Sequence, residues 1–302
     1  MAIATETKVE VTQMGASILE TGCSFRVWAP HAEEVSVIGT FNEFTPGQNP
    51  LERDESGHWS GIVSTAKAGD EYLYHLRNGD QQFSRIDPYA RRVTNSVGNG
   101  ILYDPGQFDW GQDASFPGIG PFHELVIYEM HIGTFQDSQG QGPGTFSDAE
   151  KRLGHLKKLG VNAVEILPVA EFPGDRSWGY NPSHLFAVES AYGGPDAFKS
   201  FIKKCHELGI GVILDVVYNH LGPSDLDLWQ FDGWSEQEKG GIYFYNDDRS
   251  TTPWGDTRPD YGRPEVRRFL RDNAMMWLEE FHLDGLRYDS TLYVRTIDMV
   301  RD

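Results

Sequence analysis

Hydrophobic and polar residues alternate along four short stretches in the first third of the chain. The stretches "CSFRVWAP", "EVSVIGTF", "HWSGIVS" and "EYLYHLRNG" are rich in β-branched and aromatic residues, and turn-forming residues separate them. Strands of this length and spacing are typical of a small antiparallel β-sandwich. We therefore predict a β-sandwich over residues 1–105.

The period of the hydrophobic pattern changes after residue 123, where strand-like and helix-like segments alternate. Strands are predicted at "LVIYEMHIG", "NAVEILPV", "GVILDVV" and "LDGLRYD", and helices at "SDAEKRLGHLKKLG", "PDAFKSFIKKCHELG" and "PEVRRFLRDNAMMWLEEF". This alternation implies a parallel sheet with crossover helices. The chain is thus predicted to be α/β over residues 123–302, joined to the sandwich by a linker at 106–122 that is rich in Gly, Pro and Asp.

Two of these helices carry signals for their ends. Ser147 and Glu150 have the spacing of a capping box at the start of the first helix. Gly160 and Gly209 follow the last turns of the first and second helices, where a left-handed residue is needed. We therefore expect the first helix to begin at this box, and both helices to end just before these glycines.

A long segment, residues 221–263, interrupts the strand and helix alternation. It is crowded with aromatic side chains, namely Trp229, Phe231, Trp234, Tyr243, Phe244, Tyr245, Trp254 and Tyr261. Loops this long inside a compact domain are usually functional.

Composition and charge narrow the range of partners. The 302 residues are 39% hydrophobic, which is enough to fill a sizeable core, and their formal net charge is −19. Nucleic acid and anionic membrane surfaces would be repelled, whereas a neutral ligand is compatible with this charge. Cys23 and Cys205 lie far apart in sequence and indicate neither a disulfide framework nor a cysteine metal site. The sequence has no apolar run typical of a secretory signal or a membrane span, so we expect a cytoplasmic protein.

Charged residues occur at the ends of two predicted parallel strands. Asp215 lies in the apolar run "GVILDVVYNH", where an ionised carboxylate is costly unless it emerges at the carboxyl end of the sheet, which is where parallel sheets place functional groups. Arg287 and Asp289 are two residues apart and therefore share one face of a strand, where the guanidinium would keep the carboxylate ionised. A loop-capping Asp215 and a purely structural Arg287–Asp289 ion pair are the alternatives.

Several motifs together resemble the α-amylase family, glycoside hydrolase family 13. "DVVYNH" and "DGLRYD" resemble its first two signature regions, and "NAVEILPV" and "SWGYNPSHLFAV" resemble its second and third barrel strands. "FRVWAPHAEEVSVIGTFNEF" is similar to the β-sandwich, of the carbohydrate-binding-module type, that precedes the barrel in branching enzymes. The resemblance implies an N-terminal β-sandwich followed by the first half of a (β/α)8 TIM barrel, strands 1–4.

The resemblance also implies a retaining mechanism and a set of site residues. Asp289 would attack the anomeric carbon as the nucleophile, and Arg287 would orient it and keep it charged. Asp215 and His220 would hold sugar hydroxyls, and Tyr180 would be the aromatic platform under the sugar ring. The aromatic rings of residues 221–263 would either bind glucan or pack onto the mouth of the barrel.

Other polar residues near the predicted strands receive weaker expectations. Asn219 matches a calcium-binding position of many amylases, but one asparagine cannot supply the six to eight oxygens that calcium takes, so no metal or other cofactor is assigned. His131 is expected to be a structural histidine. Glu129 and Glu165 lie on or near strands, but they match no catalytic position of the family.

A retaining glycosidase also needs a general acid. In the family it is a glutamate on the strand after that of Asp289, beyond residue 302. We therefore expect the sequence to be the N-terminal portion of a longer enzyme, and this portion to be inactive by itself.

Within the family the motifs favour a 1,4-α-glucan branching enzyme of glycogen or starch metabolism. The alternatives are a malto-oligosyltrehalose trehalohydrolase and an α-amylase-like hydrolase, and from another class a non-catalytic α-glucan-binding fragment. In each case the expected partner is α-1,4-glucan, as glycogen, starch or malto-oligosaccharides.

Overall fold

The computed structural model of the protein describes residues 11–137 and 142–294. Residues 1–10 lie outside these ranges, and the expectation of no secretory signal depends largely on them. Residues 295–302 of the predicted barrel segment also lie outside the described residues. Among the described residues, no helix is long and apolar enough to cross a membrane.

The N-terminal part consists of two antiparallel sheets. Its strands are β1 (Gly15–Ile18), β2 (Cys23–Trp28), β3 (Glu34–Gly39), β4 (Glu52–Arg53), β5 (His58–Val63), β6 (Glu71–Asn78), β7 (Gln81–Arg85) and β8 (Gly100–Ile101). One sheet has the order β1-β2-β5-β4 and the other β3-β6-β7, with β8 paired to β6. The predicted sandwich is confirmed, and its four predicted strands are β2, β3, β5 and β6.

The sandwich core comes from the side chains that point inward between its sheets. Phe25 and Val27 of β2 and Val37 and Tyr74 of the facing sheet belong to one core cluster, and all four are almost completely buried. The ring of Phe25 also packs edge-on against Tyr72, with 5.5 Å between ring centroids. Each such side chain contributes about 1.5–3 kcal/mol through burial, which explains why the alternating pattern marks the strands.

The second part is built on a parallel sheet. The remaining strands are β9 (Ile127–Met130), β10 (Ala163–Ile166), β11 (Ala170–Glu171), β12 (His184–Val188), β13 (Gly211–Val216) and β14 (Gly285–Tyr288). Four of them form a parallel sheet in the order β14-β13-β10-β9. Within this sheet the strands lie side by side in the order in which they occur along the chain, as in half of a (β/α)8 barrel. The four parallel strands predicted from the alternating pattern are β9, β10, β13 and β14.

The two faces of the parallel sheet differ in polarity. Val164 of β10 and Leu214 of β13 lie on the face covered by helices and are buried. Glu129, Glu165 and Arg287 lie on the opposite face, which corresponds to the inside of a barrel and is partly open in the described residues. Polar groups therefore line the concave side of the sheet.

One predicted strand is assigned differently in the structure. Residues 184–188 of "SWGYNPSHLFAV" form β12, which pairs antiparallel with β11 in a separate two-stranded sheet, so the resemblance to the third barrel strand was wrong. The third strand of the parallel sheet is β13. Between β10 and β12 the described chain has no crossover helix, and a parallel neighbour needs one or an equally long connection.

The helices that connect the strands are amphipathic. They are α1 (Ile132–Phe135), α2 (Phe146–Glu150), α3 (Leu153–Lys158), α4 (Gly194–Glu207) and α5 (Pro264–Met275), the last continuing as a π-helical turn at Met276–Glu280. Proline occupies the first turn of α4 and of α5, where its missing N–H costs nothing. In α4, Phe198, Ile202 and Cys205 recur with helical spacing and are buried, as predicted from the pattern.

The start of the first predicted helix lies two residues earlier than expected. Thr145 caps α2 by accepting a hydrogen bond from the Asp148 backbone N–H at 3.2 Å, and the Asp148 carboxylate reaches back to Thr145. The prediction that Ser147 and Glu150 cap this helix was therefore wrong. The helix already begins at Phe146, and the side chain of Phe146 is buried. The predicted left-handed residues after α3 and α4 are confirmed, because Gly160 and Gly209 have φ of +85° and +67°.

The segment predicted as a linker is fastened to the amino ends of the parallel strands. The side chain of Asp113 is buried there, and its two carboxylate oxygens contact His206 Nδ1 at 2.7 Å and His282 Nδ1 at 2.6 Å. The other nitrogen of His206 contacts Asp284 at 3.0 Å. Burial acts to lower the pKa of His206, but the hydrogen bonds to Asp284 and Asp113 outweigh it and raise the pKa. The domain boundaries themselves stay predictions.

The long segment at residues 221–263 packs between the sandwich and the barrel. Tyr243 meets Trp28 of the sandwich with 5.6 Å between ring centroids. The backbone N–H of Ile86 donates to the carboxylate of Asp227 at 2.5 Å. Of the aromatic rings in this segment, the following are buried and serve packing: Phe231, Tyr243, Phe244, Tyr245 and Tyr261.

Candidate active site at the carboxyl end of the parallel sheet

The structure brings Asp215, Arg287 and Asp289 together where β13 and β14 end. Asp215 and Arg287 are directly paired across the two parallel strands. Nη1 of Arg287 donates to Asp215 Oδ2 at 2.7 Å and to Asp289 Oδ1 at 3.0 Å. One guanidinium therefore bridges two carboxylates, which compensates their mutual repulsion.

Asp215 is the most deeply buried of the three charged residues. Its side chain is 3% exposed, against 14% for Asp289 and 44% for Arg287. Burial raises the pKa of Asp215, and hydrogen bonds from Tyr180 and Arg287 oppose that rise. Among the described residues, its second oxygen, Oδ1, has no hydrogen-bond partner. Such an oxygen is costly to bury, so a donor supplied from outside would stabilise it.

Tyr180 lies next to this ion pair. Its hydroxyl donates to Asp215 Oδ2 at 2.6 Å, and burial together with the Asp215 carboxylate raises the pKa of Tyr180. The phenol therefore stays protonated at neutral pH and acts as a donor. The loop between β11 and β12 is thus joined to the end of β13.

Asn219 has a positioning contact that the sequence did not reveal. Its Nδ2 donates to the backbone carbonyl of Asp289 at 2.9 Å and to the Asp289 carboxylate at 3.2 Å. This amide therefore fixes the carboxylate on the side away from Arg287. The weak calcium expectation rested on the same residue, and its oxygen contacts His220 Nδ1. Among the described residues, no three His, Cys, Asp or Glu side chains converge as a metal site.

His220 is placed beside the site but faces protein groups. It is buried, and its Nε2 lies 2.9 Å from the backbone carbonyl of Tyr180 while its Nδ1 meets Asn219. Trp254 stacks on the imidazole with 4.6 Å between ring centroids. Burial lowers the pKa of His220. Contact between His220 and a sugar stays a prediction, and it requires the ring to release one of these partners.

Glu129 and Glu165 lie side by side on the concave face but deeper than Asp215. They are paired across β9 and β10, and Glu165 is level with Ile213, two residues before Asp215. Two residues of strand correspond to roughly 7 Å, so Glu165 lies one layer towards the amino end. Burial raises the pKa of Glu165, and the charges of Glu129 and Asp215 add to this effect. Its depth does not place it across from Asp289.

His131 has the structural role expected from the sequence. Its Nε2 lies 2.7 Å from the Ser177 carbonyl and 2.9 Å from the Tyr192 hydroxyl, and its Nδ1 meets Thr134 at 3.0 Å. The ring therefore joins the segment after β9 to the loop between β11 and β12 and to the turn after β12.

Two family models match the chain. Residues 13–90 match carbohydrate-binding module 48, described as the isoamylase N-terminal domain, and residues 130–230 match the α-amylase catalytic domain. The first match covers the sandwich, and the second covers the parallel strands from the end of β9 to β13.

Curated relatives agree with these models. A malto-oligosyltrehalose trehalohydrolase of Saccharolobus solfataricus is 38% identical over 91% of this chain and 45% of its own length. A 1,4-alpha-glucan branching enzyme of Salinibacter ruber is 36% identical over 96% of this chain and 48% of its own length. The branching enzyme of Oceanobacillus iheyensis is 38% identical over 89% of this chain and 43% of its own length. The chain thus spans about half the length of the curated relatives it matches.

Solved structures show the same architecture. A Salmonella typhimurium protein that bears the name alpha amylase is 32% identical and has a TM-score of 0.79, over 97% of this chain and 45% of that chain. A pullulanase of Paenibacillus barengoltzii, solved with maltohexaose and alpha-cyclodextrin, is 25% identical with a TM-score of 0.79, over 92% of this chain and 48% of that chain. Together with the two family models, these likenesses show that the chain belongs to the α-amylase family and combines a carbohydrate-binding module 48 sandwich with part of an α-amylase catalytic domain.

Proposed function

We propose that the protein acts on α-1,4-glucan as a retaining glycosyl-transferring enzyme, a 1,4-α-glucan branching enzyme, with Asp289 as its nucleophile. The observation that carries the proposal is the Arg287 bridge between Asp215 and Asp289 at the carboxyl ends of neighbouring parallel strands. This end of such a sheet is where the active sites of α/β barrels lie. A carboxylate attacks as a nucleophile, and the guanidinium beside Asp289 holds it in place through a hydrogen bond.

The proposed reaction has two steps. An oxygen of Asp289 forms a bond to the anomeric carbon while the glycosidic bond breaks, and the leaving glucan takes the electron pair and a proton from a general acid that we do not assign to a residue. The product is a β-linked glycosyl ester on Asp289. A 6-hydroxyl of another glucan then attacks this ester, loses its proton to the conjugate base, and frees Asp289. Two inversions give a net α-1,6 linkage.

The neighbouring residues have distinct roles in this proposal. Arg287 and Asn219 hold the Asp289 carboxylate from two sides, which limits its freedom before attack. Asp215, whose Oδ1 has no hydrogen-bond partner among the described residues, accepts a hydrogen bond from a sugar hydroxyl, and His220 is a second hydroxyl ligand when its ring is released. Tyr180 offers an apolar ring face to the C–H face of the sugar.

The resolving nucleophile separates the candidate activities. Branching uses a glucan hydroxyl, whereas hydrolysis uses water. The branching enzymes among the curated relatives, together with the "VIGTFNEF" and "WGYNP" motifs, favour branching. The 38% identity to a trehalohydrolase supports that activity as a second candidate. The free, buried thiols of Cys23 and Cys205 fit a reducing cytoplasm, which we propose as the location.

The test is an assay of the complete reading-frame product on amylose. We expect loss of iodine staining, new α-1,6 linkages and few new reducing ends. Abundant reducing ends or released trehalose would instead support a hydrolase. Glucan binding without any turnover would support a non-catalytic glucan-binding protein. The matched variant Asp289→Asn is expected to bind glucan and to form no new linkages.

A further inference from the structure

Four titratable side chains meet at the amino end of the parallel sheet, at the opposite end from the candidate active site. They are Asp113, His206, His282 and Asp284, and we call them the histidine cluster. The side chains of Asp113 and His206 are each 4% exposed and that of Asp284 is 10% exposed, so three of the four are buried. The proposed chemistry at Asp289 uses none of them.

His206 lies between two carboxylates. Its Nδ1 is 2.7 Å from Asp113 Oδ1, and its Nε2 is 3.0 Å from Asp284 Oδ2. A neutral imidazole has one N–H donor and one bare nitrogen, an imidazolium has two donors, and an ionised carboxylate only accepts. Both contacts of His206 are therefore hydrogen bonds at the same time only if both ring nitrogens are protonated, or if one carboxyl holds a proton instead.

Ordinary acidities place this proton on the imidazole. An unperturbed Asp has a pKa of about 3.9 and an unperturbed His a pKa of about 6.5, so the imidazole binds a proton more readily in mild acid. Asp284 Oδ2 also accepts the backbone N–H of Val212 at 2.8 Å, which favours the ionised carboxylate. A cation at His206 compensates the buried charges of Asp113 and Asp284.

Aromatic rings of the predicted linker cover both histidines. Phe116 stacks on His206 with 4.2 Å between ring centroids and 7° between ring planes. Trp110 stacks on His282 with 4.0 Å between centroids and 14° between planes. An aromatic face attracts a cation, so the Phe116 ring also favours the charged imidazole. Asp113 lies between these two residues in sequence and contacts both histidines, so the linker is held at three neighbouring points.

The titratable groups that face His206 come from the linker and from the turn before β14. They are Asp113, Asp284 and His282, whose Nδ1 lies 2.6 Å from the second oxygen of Asp113. Other charged side chains on α2, α3 and α4 form no hydrogen bond or ion pair with His206 among the described residues: Glu150, Lys157, Lys203, Lys204 and Glu207. The two carboxylates therefore determine the protonation of His206.

We propose that His206 is a doubly protonated imidazolium in the folded protein, and that its charge fastens the predicted linker, residues 106–122, to the amino end of the parallel sheet in a pH-dependent way. When His206 loses a proton, one ring nitrogen becomes an acceptor that faces a carboxylate oxygen, so a hydrogen bond is replaced by repulsion. The buried Asp113 and Asp284 lose their cation at the same time. The proposal is independent of the reaction at Asp289.

The direction of the pH dependence follows from the contacts of His206. Burial acts to lower its pKa, but the hydrogen bonds to Asp284 and Asp113 outweigh burial and raise the pKa above 6.5. The stabilisation is therefore complete below about pH 6.5 and is lost as the pH rises through the folded pKa. The linker should be fastened in mild acid and loosened at alkaline pH.

The test is amide hydrogen exchange of the complete reading-frame product at about pH 6 and about pH 9, with each rate divided by the intrinsic rate at that pH. We expect protection in residues 110–116 to fall about tenfold at the higher pH, while protection in β2 changes less than about twofold. In His206→Gln the protection of residues 110–116 should be low at both pH values, because the amide has no proton to lose. His282→Gln is the matched control. His282 contacts one carboxylate rather than two, so its loss should weaken the fastening but leave the pH-dependent fall.

Neutron diffraction from crystals of the unaltered protein at about pH 6 tests the protonation without any substitution. We expect deuterium on both ring nitrogens of His206. A bare nitrogen there, or a deuterium on the carboxyl of Asp113 or Asp284, would overturn the proposal, and so would equal protection at the two pH values. A fall in protection that persists in His206→Gln would also contradict it, because another group would then be responsible.

Discussion

Removing the guanidinium of Arg287 should destabilise the fold in a way that depends on pH. In Arg287→Leu, Asp215 keeps the hydrogen bond from Tyr180 but loses the charged donor at 2.7 Å. Breaking a fully buried ion pair costs roughly 3–5 kcal/mol. Because the Arg287 side chain is 44% exposed and partly screened by water, we expect a smaller loss, about 2 kcal/mol near neutral pH.

The sign of the pH dependence follows from the state of Asp215. Burial already raises the pKa of this carboxyl, and losing Arg287 raises it further. A carboxyl with a raised pKa in the folded state stabilises the fold at low pH, and that contribution is lost as the pH rises through the folded pKa. The penalty of Arg287→Leu should therefore be small in mild acid and largest at alkaline pH.

Urea denaturation of four proteins measures the effect. They are the unaltered chain, Arg287→Leu, Asp215→Asn and the double variant, each at about pH 5 and about pH 8. We expect a coupling free energy of roughly 1.5 kcal/mol at the higher pH, because the neutral amide of Asp215→Asn would need no guanidinium. The exposed pair Lys204 and Glu207, 47% and 50% exposed, is the control and should couple by less than about 0.5 kcal/mol. A coupling at Arg287 no larger than this control, or one that does not grow with pH, would refute the reasoning.

Three further changes have defined outcomes. Burial and the charge of Glu189 raise the pKa of Glu171 to about 8, so stability should fall as pH rises from about 5 to 8, and Glu171→Gln should flatten the Tm-against-pH curve. Asp113→Asn weakens the contacts of this side chain with His206 and His282, so the stability should fall by about 1–2 kcal/mol. Amide hydrogen exchange in residues 106–122 should then become faster. Unchanged exchange in these residues would contradict the role of Asp113. Asn219→Ala releases one side of Asp289, so kcat on amylose should fall about tenfold while the Kd for maltoheptaose changes less than twofold.

Much of the site could be predicted because it depends on strand geometry. Parallel strands end at one edge of a sheet, so Asp215 could be expected at the same edge as Arg287 and Asp289, which are two apart and share a face. The structure places Asp215 and Arg287 in direct register. By contrast, the contact between Asn219 and Asp289 joins residues 70 apart through the turn after β13, and no periodic signal encodes it.

The errors have identifiable physical causes. The segment of β12 is a run of five buried residues, and such a run is equally compatible with a barrel strand and with a covered hairpin. The cap of α2 lies at Thr145, with Asp148 as its partner, because burial of Phe146 decides where the helix begins, and the Ser147–Glu150 spacing in the sequence does not reveal this. In both cases tertiary packing determines the local structure.

The central claim is that Asp289 forms a covalent bond to the anomeric carbon of an α-glucosyl unit. The most direct measurement is mass spectrometry of peptides from the complete reading-frame product after reaction with a slowly hydrolysed α-glucosyl fluoride, whose fluoride leaves without a general acid. We predict one glucosyl adduct on Asp289 that is absent in Asp289→Asn. An adduct on another carboxylate, or glucan turnover that survives in Asp289→Asn, would contradict the account.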